Sequence, residues 1–225
     1  MPPSNTLARY RNKHKGKDIY VLGSGATLNF VDAGFFHNKI VIAVNHAAER
    51  MGLSKCTEYS HTHYHNDAYV IATSRPNSTV FTCEGDQGYA GRPDSEMLEL
   101  RNLVTYPHVP TQWDFDIERS WPPEGGLLVG STSVHGAMHL AAHMGAATVM
   151  LAGVDCGTLD GHVNQGSYKS GVWVDGYAPE VLARWEAHLR LVKGKLQAVY
   201  GCRVYSLNPF CNPNLENHKW EGSRL

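Results

Sequence analysis

The chain predicts an α/β fold, a single open and mostly parallel sheet crossed by helices, and three observations carry that prediction. Short apolar runs of strand length recur at residues 19–22, 39–44 and 147–153. Stretches with helical spacing lie between such runs, most plainly at 134–144 and 179–200. Gly, Pro and Asn punctuate the joints, the signature of strands alternating with helices. A length of 225 residues with 42% hydrophobic content is enough for one good core, so one domain is expected.

In chain order, residues 1–16 read as a basic N-terminal extension, with Arg9, Arg11, Lys13 and Lys15, then Lys17, expected as a solvated segment. The domain proper is 17–225. Its first strand, 19–22, runs into Gly23-Ser24-Gly25-Ala26-Thr27, with Thr27 placed to cap a helix over 28–36. The second strand, 39–44, ends in Asn45-His46, and a third is expected over 56–64. Further elements fall at 68–73 and 79–83. Residues 84–125 carry nine Gly or Pro residues and weak periodicity, which reads as a long irregular lid. Order resumes at 126–130. Ser131-Thr132-Ser133 then caps a helix over 134–144 that stops at Gly145, and a buried strand leads to Asp155. Residues 157–177 form a second Gly-rich active-site loop. Pro179 opens the longest helix, stopped by Gly201, and a last strand covers 202–207.

Glycines at a strand-to-helix turn let backbone approach a ligand, and a helix N-terminus behind them favours phosphate. A tight turn with no ligand explains the same residues equally well. Leu28 stands where a dinucleotide fingerprint needs its third glycine, and no Gly-Lys-Ser/Thr occurs, so neither an NAD site nor a P-loop is expected. The formal net charge of −1 gives no broad footprint for nucleic acid, which stays a possible but disfavoured partner through the N-terminal basic segment. Five cysteines without a C-x-x-C pair, no apolar leader and no spanning stretch point to a reduced, cytoplasmic setting.

The turn Gly23-Ser-Gly-Ala-Thr-Leu28 resembles the Gly-Asn-Gly-Pro-Ser-Leu turn of bacterial lipooligosaccharide sialyltransferases and the related Maf-type (motility accessory factor) flagellin glycosyltransferases. Val44-Asn45-His46 is similar to their Cys-Asn-Gln. Thr132-Ser133 with the block Gly145-Ala-Ala-Thr-Val-Met-Leu-Ala-Gly-Val-Asp155 resembles their Thr-Ser-Gly, helix and Gly-Ile-Asp sequence, and Val204-Tyr-Ser-Leu-Asn-Pro209 resembles their final strand. The resemblance covers residues 17–214. It implies a Rossmann-like, GT-A-like domain that uses a nucleotide-sugar, CMP- or UDP-linked, as co-substrate and transfers the sugar to a hydroxyl on a glycan, protein or modified nucleobase. It also implies that Gly23, Ser24 and Gly25 with Ala26 and Thr27 lie near the phosphate, that Asn45 and His46 meet the nucleotide, and that Thr132 and Ser133 bind nucleotide or sugar oxygens. Cys156-Gly157 stands where the family has an aromatic pair, so the role of its phosphate-holding tyrosine is vacant unless Tyr168 fills it. The family's catalytic histidine has no match near Gly176-Tyr177.

Other residues offer chemistry of their own. His61, His63 and His65 would share one face of a strand, fit for Zn²⁺ or for a general base, His63 first, or for structure alone. His162 and Asp155 are further catalytic candidates, and His135, in a first helical turn, with Lys169 completes the binding set. Asp114-Phe-Asp116 matches the D-x-D of metal-dependent sugar transferases, so a divalent metal stays open and no other cofactor is implied. A pterin-type pyrophosphokinase using ATP and Mg²⁺, a His-metal hydrolase and a non-catalytic nucleotide module are the competing readings.

Overall fold

A computed structural model describes residues 6–55, 57–84, 95–109, 115–164, 169, 179–208 and 218–222. Seven strands form one sheet: β1 (Asp18–Leu22), β2 (Ile40–Val44), β3 (Tyr59–His61), β4 (Thr79–Cys83), β5 (Leu103–Tyr106), β6 (Thr148–Ala152) and β8 (Arg203–Ser206). Their order is β5-β4-β3-β2-β1-β6-β8, and every neighbouring pair is parallel. Two two-residue strands, β7 (Thr158–Leu159) and β9 (Trp220–Glu221), pair antiparallel beside it. The helices are α1 (Ala47–Arg50), α2 (His65–Ser74), α3 (Ser95–Leu98), α4 (Ser133–His143) and α5 (Pro179–Tyr200). No helix among the described residues is long and apolar enough to cross a membrane.

Alternate residues of the central strands feed two cores, as a sheet covered on both faces requires. Ile19, Val21, Ile42 and Val44 pack with α4 and α5 residues such as Met138, Leu140 and Leu189. Leu22, Val41 and Ala43 pack on the opposite face with Leu28, Phe36 and Leu53.

Four expectations are corrected. The first crossover contains no α-helix over 28–36, only the 3-10 turns Ala26–Phe30 and Ala33–Phe36. The third strand is three residues long and stops at His61, so His61, His63 and His65 do not alternate along a strand; His65 opens α2 instead. The stretch 84–125 is not irregular throughout, because β5 lies inside it as the edge strand of the sheet. The basic N-terminal segment is not a free extension from residue 6 onward. Leu7 is buried, the Tyr10 ring meets Phe81 edge-on at 4.9 Å, and the amides of Asn12, His14 and Gly16 donate to the carbonyls of His143, Met144 and Gly145. Gly145 holds φ +84° where α4 ends, and a Cβ there would lie 2.9 Å from Lys15 Cα, so a glycine lets this segment dock.

Candidate functional site at the sheet switch point

Strand order reverses around β1, whose neighbours are β2 and β6, and in open α/β sheets the crevice beyond the carboxyl ends of such strands is where ligands sit. A cleft occupies that place. It is lined by Ser24 and Gly25 after β1, Asn45 after β2, the 131–133 segment at the head of α4, and Asp155 after β6. One face of α5, Leu182, Trp185 and Leu189, closes the side.

The glycine turn is held by the protein itself. Gly23 N–H donates to the Ala152 carbonyl at 2.8 Å, and Gly25 N–H to the Gly153 carbonyl at 2.7 Å. Thr27 does not cap a helix. Its N–H donates to Asp155 Oδ2 at 2.9 Å and its hydroxyl donates to Asp155 Oδ1. Asn208, just past β8, adds its amide N–H to Asp155 Oδ1 at 2.9 Å. Asp155 is 3% exposed, and burial pushes its carboxyl above the usual range, against the opposing pull of the Thr27 and Asn208 hydrogen bonds. The carboxylate thus ties the ends of β1, β6 and β8 together while also lining the cleft. Asp155→Asn should lower unfolding stability by about 1–3 kcal/mol, because the new NH₂ must face Thr27 N–H or the Asn208 amide, both donors. Chemical denaturation at pH 7 measures it, and an unchanged midpoint would remove the clamp.

The head of α4 has a different character. Thr132 is the N-cap residue, in extended conformation, yet it makes no side-chain cap bond, and its Oγ1 is buried without a hydrogen-bond partner. His135 N–H is taken by the Thr132 carbonyl at 3.1 Å. The amides of Ser133 and Val134, both cleft-lining, have no intrahelical acceptor, as the first turn of any helix dictates. Across the cleft Asn45 holds φ +50°, a left-handed conformation that asparagine tolerates better than most residues. Its N–H donates to the His61 carbonyl at 3.0 Å, and its Oδ1 is buried and unpartnered. Two residues with orphaned polar atoms and a helix N-terminus therefore line one cleft at the switch point.

The histidines are packed behind this cleft rather than in it. His61 is fully buried, its Nε2 is 2.6 Å from Tyr106 Oη, and its ring lies 5.1 Å from that of His63. Burial, helped by His108, holds the His63 imidazole down at about 3, and its Nε2 is enclosed with no partner. A base that weak captures few protons at neutral pH, which weighs against His63 as the general base. His65 reaches the Cys83 carbonyl at 2.9 Å through Nε2. His135 is 0% exposed and stacks on Phe115 at 5.6 Å, so it faces the interior and not a ligand. Among the described residues no group of three or more His, Cys, Asp or Glu is placed to hold a metal ion.

The remaining expected residues scatter. Ala26 is fully buried. His46 pairs with Asp67 at 3.4 Å and Glu49 at 3.9 Å, outside the cleft lining. His162 is half-buried at a bridge to Leu159, and Lys169 is exposed. Asp116 pairs with Arg119 at 3.0 Å, while Asp114 and Tyr168 lie outside the described residues. Sequence reading missed Tyr64 and Cys156 in the cleft wall and, on α5, His188, whose Nδ1 lies 2.8 Å from Ser131 Oγ. The i, i+3, i+7 spacing of Leu182, Trp185 and Leu189 was the available signal for the α5 wall.

Compared with models of known protein families and with the sequences of characterised proteins, the chain matches none.

Proposed function

We propose that the protein is a glycosyltransferase that moves a sugar from a nucleotide-activated donor, CMP- or UDP-linked, to a hydroxyl acceptor. The observation that carries this reading is the unpartnered Thr132 Oγ1 beside the open first turn of an 11-residue helix, at the switch point of a parallel sheet. A buried hydroxyl without a partner costs about 1–3 kcal/mol, so its retention is explained by a ligand oxygen or N–H that completes it. The α4 amides and dipole favour the departing phosphate. Asn45, opposite, offers an amide to a base or ribose edge. The resemblance of residues 17–214 to nucleotide-sugar transferases points to the same edge of the sheet.

The ATP- and Mg²⁺-dependent pyrophosphokinase reading needs a carboxylate for the cation, and Asp155 is already engaged by Thr27 and Asn208. The His-metal hydrolase reading loses its basis with the strand that was to align the three histidines.

Calorimetric titration with CMP, UDP, GDP and ATP, with and without Mg²⁺, tests the proposal. CMP or UDP should bind without the cation. Thr132→Val keeps the shape and removes the orphaned hydroxyl, so it should abolish that binding while leaving Tm equal or raised. Binding of ATP alone and only with Mg²⁺ would reject the reading, as would nucleotide affinity indifferent to Thr132→Val.

A further inference from the structure

A serine hydroxyl paired with an imidazole is the strongest feature that the nucleotide reading leaves unused. Ser131 is exposed, lines the cleft, and immediately precedes the N-cap of α4. Its Oγ is 2.8 Å from Nδ1 of His188 on α5. The His188 ring is 9% exposed and is held against Phe115 at 4.7 Å between ring centres, with the His135 ring at 6.3 Å. His188 also lines a second cleft, with Asp116 and Arg119.

We propose that Ser131 and His188 form a nucleophile–base pair that captures activated acyl groups, esters or thioesters, seated at the head of α4. The geometry supplies a hydroxyl within hydrogen-bond reach of an imidazole, and that imidazole is packed against the Phe115 and His135 rings. Ser131 Oγ attacks the acyl carbon, a C–O bond forms, and the hydroxyl proton passes to His188 Nδ1. The carbonyl π electrons move onto oxygen, where the first turn of α4, whose Ser133 and Val134 line the same cleft, would receive the charge. Collapse breaks the bond to the leaving group, which takes the proton from Nδ1 and leaves an acyl-serine. Water deprotonated by the same imidazole then releases the acid.

The thiol in the described cleft lining is unsuited to the task. Burial, then Asp155 and Glu186, push the Cys156 thiol up to about 12, so its thiolate is scarce. His188 is the opposite case. Burial and the Arg184 guanidinium lower its pKa below the ordinary imidazole value, so it is a neutral acceptor at pH 7. Among the described residues, the other titratable groups near it include His135, held neutral by burial, and the paired Asp116 and Arg119. This pair does not depend on nucleotide binding, so either proposal can fail alone.

Phenylmethanesulfonyl fluoride is the probe, with intact-mass and peptide mass spectrometry as the readout. The folded wild-type chain at pH 8 should carry one sulfonyl group, on Ser131, the fluoride leaving as the Ser131 proton moves to His188. Labelling should slow at least 10-fold in His188→Gln, whose amide oxygen still accepts from Ser131 but is no base. In the wild type alone the rate should level off by about pH 7, where a serine without a base keeps accelerating with hydroxide. No adduct on Ser131, equal rates in His188→Gln, or a wild-type rate still climbing tenfold per unit above pH 8 would each overturn the pair.

Discussion

Mild acid should unfold this protein, with a midpoint between about pH 5 and 4, well before its carboxylates are fully protonated. The reason is the number of imidazoles folded in as neutral groups. Burial holds His135 and His139 down at about 3, each pushed further by a neighbouring histidine, His188 and His143 respectively, and the same burial keeps His61 well below its ordinary value. The hydrogen bonds fix the neutral form of His139: Nδ1 accepts the Leu128 N–H at 2.9 Å, so Nε2 carries the hydrogen toward Tyr200 Oη at 2.8 Å. In the unfolded chain these rings protonate near pH 6.5. Their folded values are depressed, so the stability they confer is complete above pH 6.5 and is lost as pH falls toward 3. Each such group costs about 1.4 kcal/mol per pH unit in that window, so His135 and His139 alone remove roughly 2.7 kcal/mol per unit. Asp155 works the other way. Its raised carboxyl value means stability lost as pH rises through it, so acid relieves that one group. One carboxyl does not offset several imidazoles, and a domain of this size holds only about 5–15 kcal/mol. Far-UV circular dichroism and Trp fluorescence from pH 7.5 to 3.5 measure the transition, and an unchanged Tm at pH 4 would contradict the burial of these rings as neutral groups.

Those histidines also mark where sequence reading stopped. Strand and helix identity was legible because apolar runs such as residues 39–44, and the cap, periodicity and stop of 179–200, are local signals. The collapse of the third strand to Tyr59–His61 was not legible, because His61, His63 and His65 fit period two as well as they fit a strand end, a loop and a helix start. What decided it was the tertiary pull of Tyr106 on His61 and of the Cys83 carbonyl on His65. The strand β5 was hidden by the prolines around it. The cleft was legible as an edge, since ligand sites follow strand order. The Ser131–His188 contact spans 57 positions and two elements, and no local pattern encodes it.

The glycine turn supplies the other large effect: Gly25→Val should unfold the domain or cost at least about 3 kcal/mol, and not merely remove a ligand. From sequence, Gly25 was expected to keep backbone close to a phosphate, so that valine would abolish nucleotide binding in a chain still folded. In the structure, a Cβ at Gly25 would lie 2.5 Å from Asp155 Cγ and 2.8 Å from the Gly153 carbonyl oxygen. Neither neighbour can retreat, because Gly153 O accepts the Gly25 N–H at 2.7 Å and the Asp155 carboxylate is held by Thr27 and Asn208. Overpacking of this kind typically costs about 1–3 kcal/mol. Displacing Asp155 adds the cost of orphaning the buried Thr27 N–H and the Asn208 amide, about 1–3 kcal/mol for each group. Gly194→Ala is the control. A Cβ there meets nothing within 4 Å, and alanine in the middle of α5 should raise stability by about 0.5–1 kcal/mol. Thermal and urea unfolding of both variants decide the matter. A Gly25→Val protein with wild-type stability would mean that the β1 turn is loose, that Asp155 does not tie it to β6, and that glycine stands there for a ligand after all.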